Sequence, residues 1–308
     1  MKYLGKTDLR VSGVGLGASH FGTEISETDS FAFLDAFCAA GGNFIDTANV
    51  YGRFTPGAGN ASERTLGKWL KTARYEVIIA TKGGHYPPGH PEICRVNQQG
   101  IEEDLDDSLR TMGLDHIDFY WLHRDDPRRP IGEIIEMMEA LVRAGKILYY
   151  GASNYRADRL REAGAYAAAH GYTGFSAVSN QYSPATVNPN GKTNPDPSLV
   201  ITGKEEWTYH IESGMPLVPF EATARGYFAK MATGAPISPA VMAAYDNEQS
   251  RHALAEIQAL ATDRGCSVQV ATILRAARAP FQIIPLTSVR NMGQMADLWE
   301  ALALLDGN

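Results

Sequence analysis

The chain has 308 residues, 44% of them hydrophobic and 20% charged, a composition that suits a soluble globular protein with one large core or two small ones. A formal net charge of -7 excludes the broad positive field of a nucleic-acid or anionic-membrane binder, so any anion site must be local. No run approaches the roughly 20 apolar residues of a membrane helix, residues 1–13 lack the apolar core and cleavage site of a secretory leader, and Cys38, Cys94 and Cys266 make neither a metal-ligand spacing nor a disulfide framework, so a cytoplasmic location is expected.

Residues 2–12 can form a short hairpin, and from there apolar runs alternate with stretches of helical period. In chain order, strand 14–17 precedes helix 27–39, strand 43–47 precedes helix 62–72, strand 77–81 precedes helix 100–112, and strand 117–122 precedes helix 131–144. Strand 147–152 then precedes helix 156–169, strand 176–180 precedes helix 203–213, strand 216–220 precedes helix 248–263, and strand 283–286 precedes helix 291–303. Several of these strands are unbroken apolar runs, as parallel strands covered on both faces require. Eight such units closing on themselves predict an α/β fold of the (β/α)8 TIM-barrel class, one domain over 1–308.

The rival architecture, an open doubly wound sheet, needs a Gly-rich phosphate turn after its first strand. Here Gly13, Gly15, Gly17 and Gly22 do not give G-x-G-x-x-G. Residues 183–197, dense in Pro, Asn and Gly, read as a long loop over the carboxyl-terminal mouth of the barrel, and residues 225–247 as a second excursion.

In a barrel, residues at or just past the carboxyl ends of the strands share one pocket. That rule collects Asp46 and Tyr51, Lys82, His123, Ser153 and Asn154, Gln181, then Phe220 and Glu221, an unusually polar set. The segments carrying them are Asp46-Thr47-Ala48-Asn49-Val50-Tyr51-Gly52, Thr81-Lys82, Leu122-His123 and Gly151-Ala152-Ser153-Asn154. In sequence and in order they resemble the motifs of the aldo-keto reductases, and the resemblance runs from the first strand to the last helix.

The resemblance implies a catalytic tetrad of Asp46, Tyr51, Lys82 and His123. When hydride adds to a carbonyl carbon, charge grows on the oxygen and a proton must reach it. A tyrosine titrates near pH 10 and is a reluctant acid or base alone, but a neighbouring ammonium favours its phenolate. Tyr51 is thereby the expected acid/base, Asp46 holds Lys82 charged, and His123 orients the carbonyl and steadies its developing charge.

For the cofactor, the resemblance implies that Ser153, Asn154 and Gln181 hold the nicotinamide carboxamide, with Ser19 and Asp46 nearby. Phe220 stacks on the ring or simply packs the barrel, and Thr223 and Arg225 meet the pyrophosphate. Ser288, Arg290, Gln294 and Asp297 surround the adenosine 2'-phosphate. A guanidinium fork matched to phosphate favours NADPH over NADH.

Trp121 lies on the same strand face as His123, where barrel lining and substrate contact are equally open, while Trp207 and Tyr209 read first as helix packing. Glu221 binds substrate hydroxyls or faces solvent, and with the Asn-rich loop it suggests a sugar-like carbonyl. His123-Arg124-Asp125 lacks the other parts of a kinase site, one strand-end glutamate does not make a glycosidase, and His85 and His90 show no metal-ligand pattern. An NADPH-binding sensor with little turnover is the alternative to an enzyme. The expected partner is a small carbonyl compound, and the sequence does not give the oligomeric state.

Overall fold

In the computed structural model, which describes residues 1–189, 191, 194 and 196–307, strand β1 (Lys2–Tyr3) pairs antiparallel with β2 (Arg10–Val11), so the expected hairpin forms. Seven strands follow, β3 (Gly15–Gly17), β4 (Phe44–Asp46), β5 (Ile78–Gly83), β6 (Ile117–Leu122), β7 (Ile147–Ser153), β8 (Val178–Ser179) and β9 (Leu286–Thr287). They make one parallel sheet in the order β8-β7-β6-β5-β4-β3-β9. The order follows the chain and places the last strand beside the first, the connectivity of a (β/α)8 barrel rather than of a doubly wound sheet.

The gap between β8 and β9 is filled by residues 216–220, the expected seventh strand, through single bridges Val178↔Leu217 and Leu217↔Ile283. Val218 donates its amide to Val178 (2.7 Å), and Ile284 and Leu286 donate to Leu217 and Pro219 (2.9 and 3.0 Å). This stretch is not a regular strand because Pro216 and Pro219 have no amide hydrogen for a ladder.

Helices α1 (Glu27–Ala39), α2 (Ala61–Leu70), α3 (Gln98–Met112), α4 (Ile131–Arg143), α5 (Ala157–His170) and α6 (Lys204–Ser213) lie close to their expected bounds. So do α9 (Glu248–Arg264) and α11 (Met292–Asp306), whereas α7 (Tyr227–Thr233), α8 (Pro239–Tyr245) and α10 (Val268–Ala276) were not foreseen. The ends follow side-chain chemistry: Ser26, Asn97, Asn247, Ser267 and Asn291 each accept a first-turn amide, and Gly113, Gly171, Gly265 and Gly307 take the left-handed conformation that stops a helix. Among the described residues no helix is long and apolar enough to cross a membrane.

Alternation along the strands builds two cores. Ile45, Ile79, Tyr120, Leu122, Tyr150, Val178 and Leu217 point outward and pack under the helices. Phe44, Ala80, Phe119, Trp121, Ala177, Val218, Ile284 and Leu286 fill the barrel interior, where Leu4 and Val11 of the hairpin join them. Gly151 belongs to this inward row, and a Cβ there would sit 2.6 Å from both the Ala177 carbonyl and the Trp121 ring, so only glycine fits.

Candidate active site

The inward row continues two residues further along each strand, and there it turns polar. Asp46 follows Phe44, Lys82 follows Ala80, and His123 follows Trp121, with side chains buried to within a few per cent. The Lys82 ammonium donates to Asp46 Oδ1 and to the Thr47 carbonyl (2.7 Å). It also lies 4.9 Å from the centroid of the Tyr51 ring, whose edge meets His123 at 5.8 Å and 83°. Asp46, Tyr51, Lys82 and His123 therefore meet at one place.

Burial works against the charge on Lys82, but the Asp46 carboxylate and then Tyr51 outweigh it and hold the ammonium above its ordinary 10.5. His123 is driven well below 6.5, by burial first and then by the positive charge of Arg124, by His85 and by Lys82. The lysine is thus charged and the imidazole neutral at neutral pH, which lets His123 donate a hydrogen bond without giving up a proton. Its ring is set by edge contacts with Tyr51 and with His85 (4.8 Å).

Tyr51 is on a loop, and the loop is anchored by a carboxylate that the sequence did not single out. Glu63, fully buried on α2, accepts from Thr81 Oγ1 (2.6 Å) next to Lys82 and from Asn49 Nδ2 (3.3 Å) two residues before Tyr51. Asn49 also donates to Asp107 (3.0 Å), which takes Arg53 Nη2 at 2.7 Å. These bonds tie both flanks of the Tyr51 turn to α2 and α3 and fix where its hydroxyl can go.

Ser153 at the end of β7 donates to the Ser179 carbonyl (2.8 Å), and Asn154, at φ 63°, donates to Ser153 Oγ (3.1 Å) and to the His123 carbonyl (3.2 Å). Gln181 bridges to Phe220 along the backbone, and its Nε2 reaches Tyr245 (3.1 Å) and Glu221 (3.3 Å). Ser153, Asn154, Gln181 and Phe220 thus line neighbouring strand ends. Trp121 is a wholly buried barrel-lining residue packed on Phe119, and Trp207 packs between Tyr182 and Phe281.

A second group sits beside the end of β3. Ser19 is half-buried in the turn after that strand, and exposed Ser288 donates to the Gly17 carbonyl (3.1 Å). Arg290, exposed just before the amino terminus of α11, pairs with Glu24 at 2.5 Å and is bonded through its backbone by Gln294 (2.7 Å). Arg225 pairs with Glu221 (2.6 Å), and Thr223 is half-buried in the same turn. Asp297 points elsewhere, accepting from Ser267 at the start of α10 (2.7 Å). A hydroxyl, a guanidinium and a helix amino terminus together fit a phosphate group.

Sequence reasoning missed Glu63, Glu24, Tyr245 and the cluster of His85, Arg124 and Asp196, all defined by contacts between distant segments. Of the expected substrate-loop stretch 183–197, residues 190, 192, 193 and 195 lie outside the described residues.

Residues 13–306 match the family model described as the Aldo/keto reductase family. An uncharacterized oxidoreductase, YrpG, of Bacillus subtilis is 36% identical over 190 residues, which is 59% of this chain and 57% of that protein. The norsolorinic acid reductase stcV of Emericella nidulans is 34% identical over 189 residues, covering 56% and 47%, and the aldo-keto reductase str7 of Strobilurus tenacellus is 33% identical over 214, covering 68% and 55%. The chain spans about half the length of the curated relatives it matches.

Proposed function

Because this chain belongs to the aldo/keto reductase family, we propose that it reduces an aldehyde or ketone to the alcohol, reversibly, using NADPH, with Tyr51 as acid/base. The observation that carries the reading is the buried Lys82 ammonium, fixed by Asp46 and the Thr47 carbonyl and facing Tyr51 with His123 at the tyrosine's edge. A tyrosine beside a held positive charge and a neutral imidazole is a proton donor and a hydrogen-bond donor aimed at one oxygen.

The nicotinamide supplies the hydride when bound. Ser153, Asn154 and Gln181 would hold its carboxamide, with Ser19 and Asp46 nearby, Phe220 would stack on the ring or simply pack the barrel, and Thr223 and Arg225 would meet the pyrophosphate. Ser288 and Arg290 just before α11, and Gln294 in its first turn, would hold the 2'-phosphate. Asp297, already bonded to Ser267, takes part only if it exchanges that partner. As the carbonyl oxygen gains charge, His123 steadies it and Tyr51 protonates it, while Lys82 stabilises the phenolate left behind. In the reverse direction the phenolate removes the alcohol proton. Asp46 keeps Lys82 charged throughout.

The rim next to His123 is aromatic, with Phe54 against His85 (5.7 Å) and His85 against Tyr86 (4.2 Å). This favours a planar aromatic carbonyl. The sugar-like alternative rested on the Asn-rich loop, part of which lies outside the described residues, and on Glu221, which is engaged with Arg225, Gln181 and Tyr245. We read the chain over 1–308 as one catalytic domain working in the cytoplasm. The test is the oxidation of NADPH on addition of aromatic and sugar aldehydes: turnover faster with the aromatic panel supports the reading, and absence of nucleotide binding overturns it.

A further inference from the structure

Beside His123 the chain carries a charged cluster that the proposed chemistry does not use. Arg124, the next residue after His123, is buried at 7% exposure. Its Nη1 donates to the His123 carbonyl (2.7 Å), and its Nη2 donates to His85 Nε2 (2.9 Å) and to Asp196 Oδ2 (2.7 Å). Tyr86 donates its hydroxyl to the same Asp196 oxygen (2.7 Å), and Oδ1 accepts from the Ser198 amide (2.9 Å) and hydroxyl (2.6 Å). Asp196 arrives from the long loop after β8, and its side chain is only 7% exposed. The His85 ring is 4.8 Å from the His123 ring, so the guanidinium stands one imidazole away from the proposed reacting centre.

His85 adds no charge to this cluster. Burial first, and Arg124 next, pull it down to about 4, so it is neutral, with Nε2 accepting from Arg124 and Nδ1 donating to the Tyr86 carbonyl (2.7 Å). The cluster is therefore one cation and one carboxylate. A nearly buried guanidinium beside a reacting centre is suited to hold an anion, because its fork matches a carboxylate and its burial is costly without one. Here the chain supplies that anion itself.

We propose that Asp196 is a specificity-determining residue, a resident carboxylate that occupies Arg124 and so excludes carbonyl substrates that carry a carboxylate of their own. An anionic aldehyde whose far end reached this part of the rim would either displace Asp196 from Arg124, Tyr86 and Ser198 or bring a second negative charge against it. A neutral aldehyde meets neither obstacle. The inference rests on the proposed reductase activity and adds the selection rule to it.

The experiment compares kcat/KM for para-carboxybenzaldehyde and for benzaldehyde, with NADPH, in the wild type, Asp196→Ala, Asp196→Asn and the double variant Arg124→Gln/Asp196→Ala. The ratio of the anionic to the neutral substrate is expected to rise about tenfold or more in Asp196→Ala, the scale of one charge-assisted hydrogen bond. The gain should be carried by KM, go in the same direction in Asp196→Asn, and vanish in the double variant. Calorimetric titration with benzoate gives a readout without turnover: binding is expected in Asp196→Ala and not in the wild type or the double variant. An unchanged ratio in both single variants, or a gain that survives loss of Arg124, overturns the role of Asp196. A wild type inert toward both aldehydes overturns the reductase reading instead.

Discussion

Replacing Glu63 by glutamine should make the protein relatively more stable as the pH rises, although it alters a buried carboxylate with several hydrogen bonds. Glu63 has no solvent exposure, and burial first of all pushes its carboxyl from an ordinary 4.5 up to about 7, with the negative charge of Asp107 acting the same way. Hydrogen bonds from Thr81, Ser108 and Asn49 offset only part of this. A carboxyl whose folded value is raised binds more protons in the folded state, so its contribution falls as pH rises from the unfolded value to the folded one. The rise from 4.5 to about 7 corresponds to about 3 kcal/mol, lost across that window and constant above it. Glutamine keeps an acceptor for Thr81 and cannot ionise. Urea unfolding of both proteins at intervals from about pH 5 to about pH 8.5 measures the effect, because the titration of groups not coupled to Glu63 cancels in the difference. The difference between Glu63→Gln and wild type should climb in favour of the variant up to about pH 7 and level off above it. A difference that is flat with pH, or that favours the variant at the acid end, would refute the burial assignment.

Lys82→Met should abolish turnover and destabilise the fold by about 3 to 5 kcal/mol, because it leaves the Asp46 carboxylate buried without its partner. Adding Asp46→Asn should restore most of the stability and none of the turnover, measured by denaturant unfolding and by steady-state rates. At the nucleotide end, Arg290→Ala should weaken NADPH by about tenfold or more while leaving NADH nearly unchanged, as fluorescence titration will report. Glu24 competes for the same guanidinium from an exposed position, so Glu24→Ala should tighten NADPH by only a few-fold, which is the scale of a solvent-screened pair.

What could be read in advance was what local chemistry determines. Helix α1 follows a serine cap and ends on schedule, and the alternation through Phe119, Trp121 and His123 is enough to place an apolar barrel interior below a polar strand end. The same period set Asp46 and Lys82 in one layer with His123. Residues 216–220 have the composition of a strand, but two prolines reduce its ladder to isolated bridges. Helix α10 was missed because Val268-Gln269-Val270-Ala271-Thr272-Ile273 is rich in β-branched residues and follows the α9 stop at Gly265 closely. The bracing of Asn49 by Glu63 and Asp107, the pairing of Arg290 with Glu24, and that of Arg124 with Asp196 join residues from 14 to 266 positions apart. No window of sequence contains both members of such a pair together with the geometry that joins them. Asp297 shows the converse, since its position on α11 suggested a phosphate contact while Ser267 holds its carboxylate.

If Tyr51 moves the proton, its loss must show in single-turnover reduction of an aromatic aldehyde by NADPH-loaded Tyr51→Phe beside the wild type. The phenyl ring keeps the packing on His123 and removes only the hydroxyl. NADPH affinity should be unchanged and the rate should fall by about 100- to 10,000-fold, the range for loss of a positioned acid/base. A variant that binds NADPH normally and reduces the aldehyde within a few-fold of the wild-type rate would move the proton-transfer role away from Tyr51.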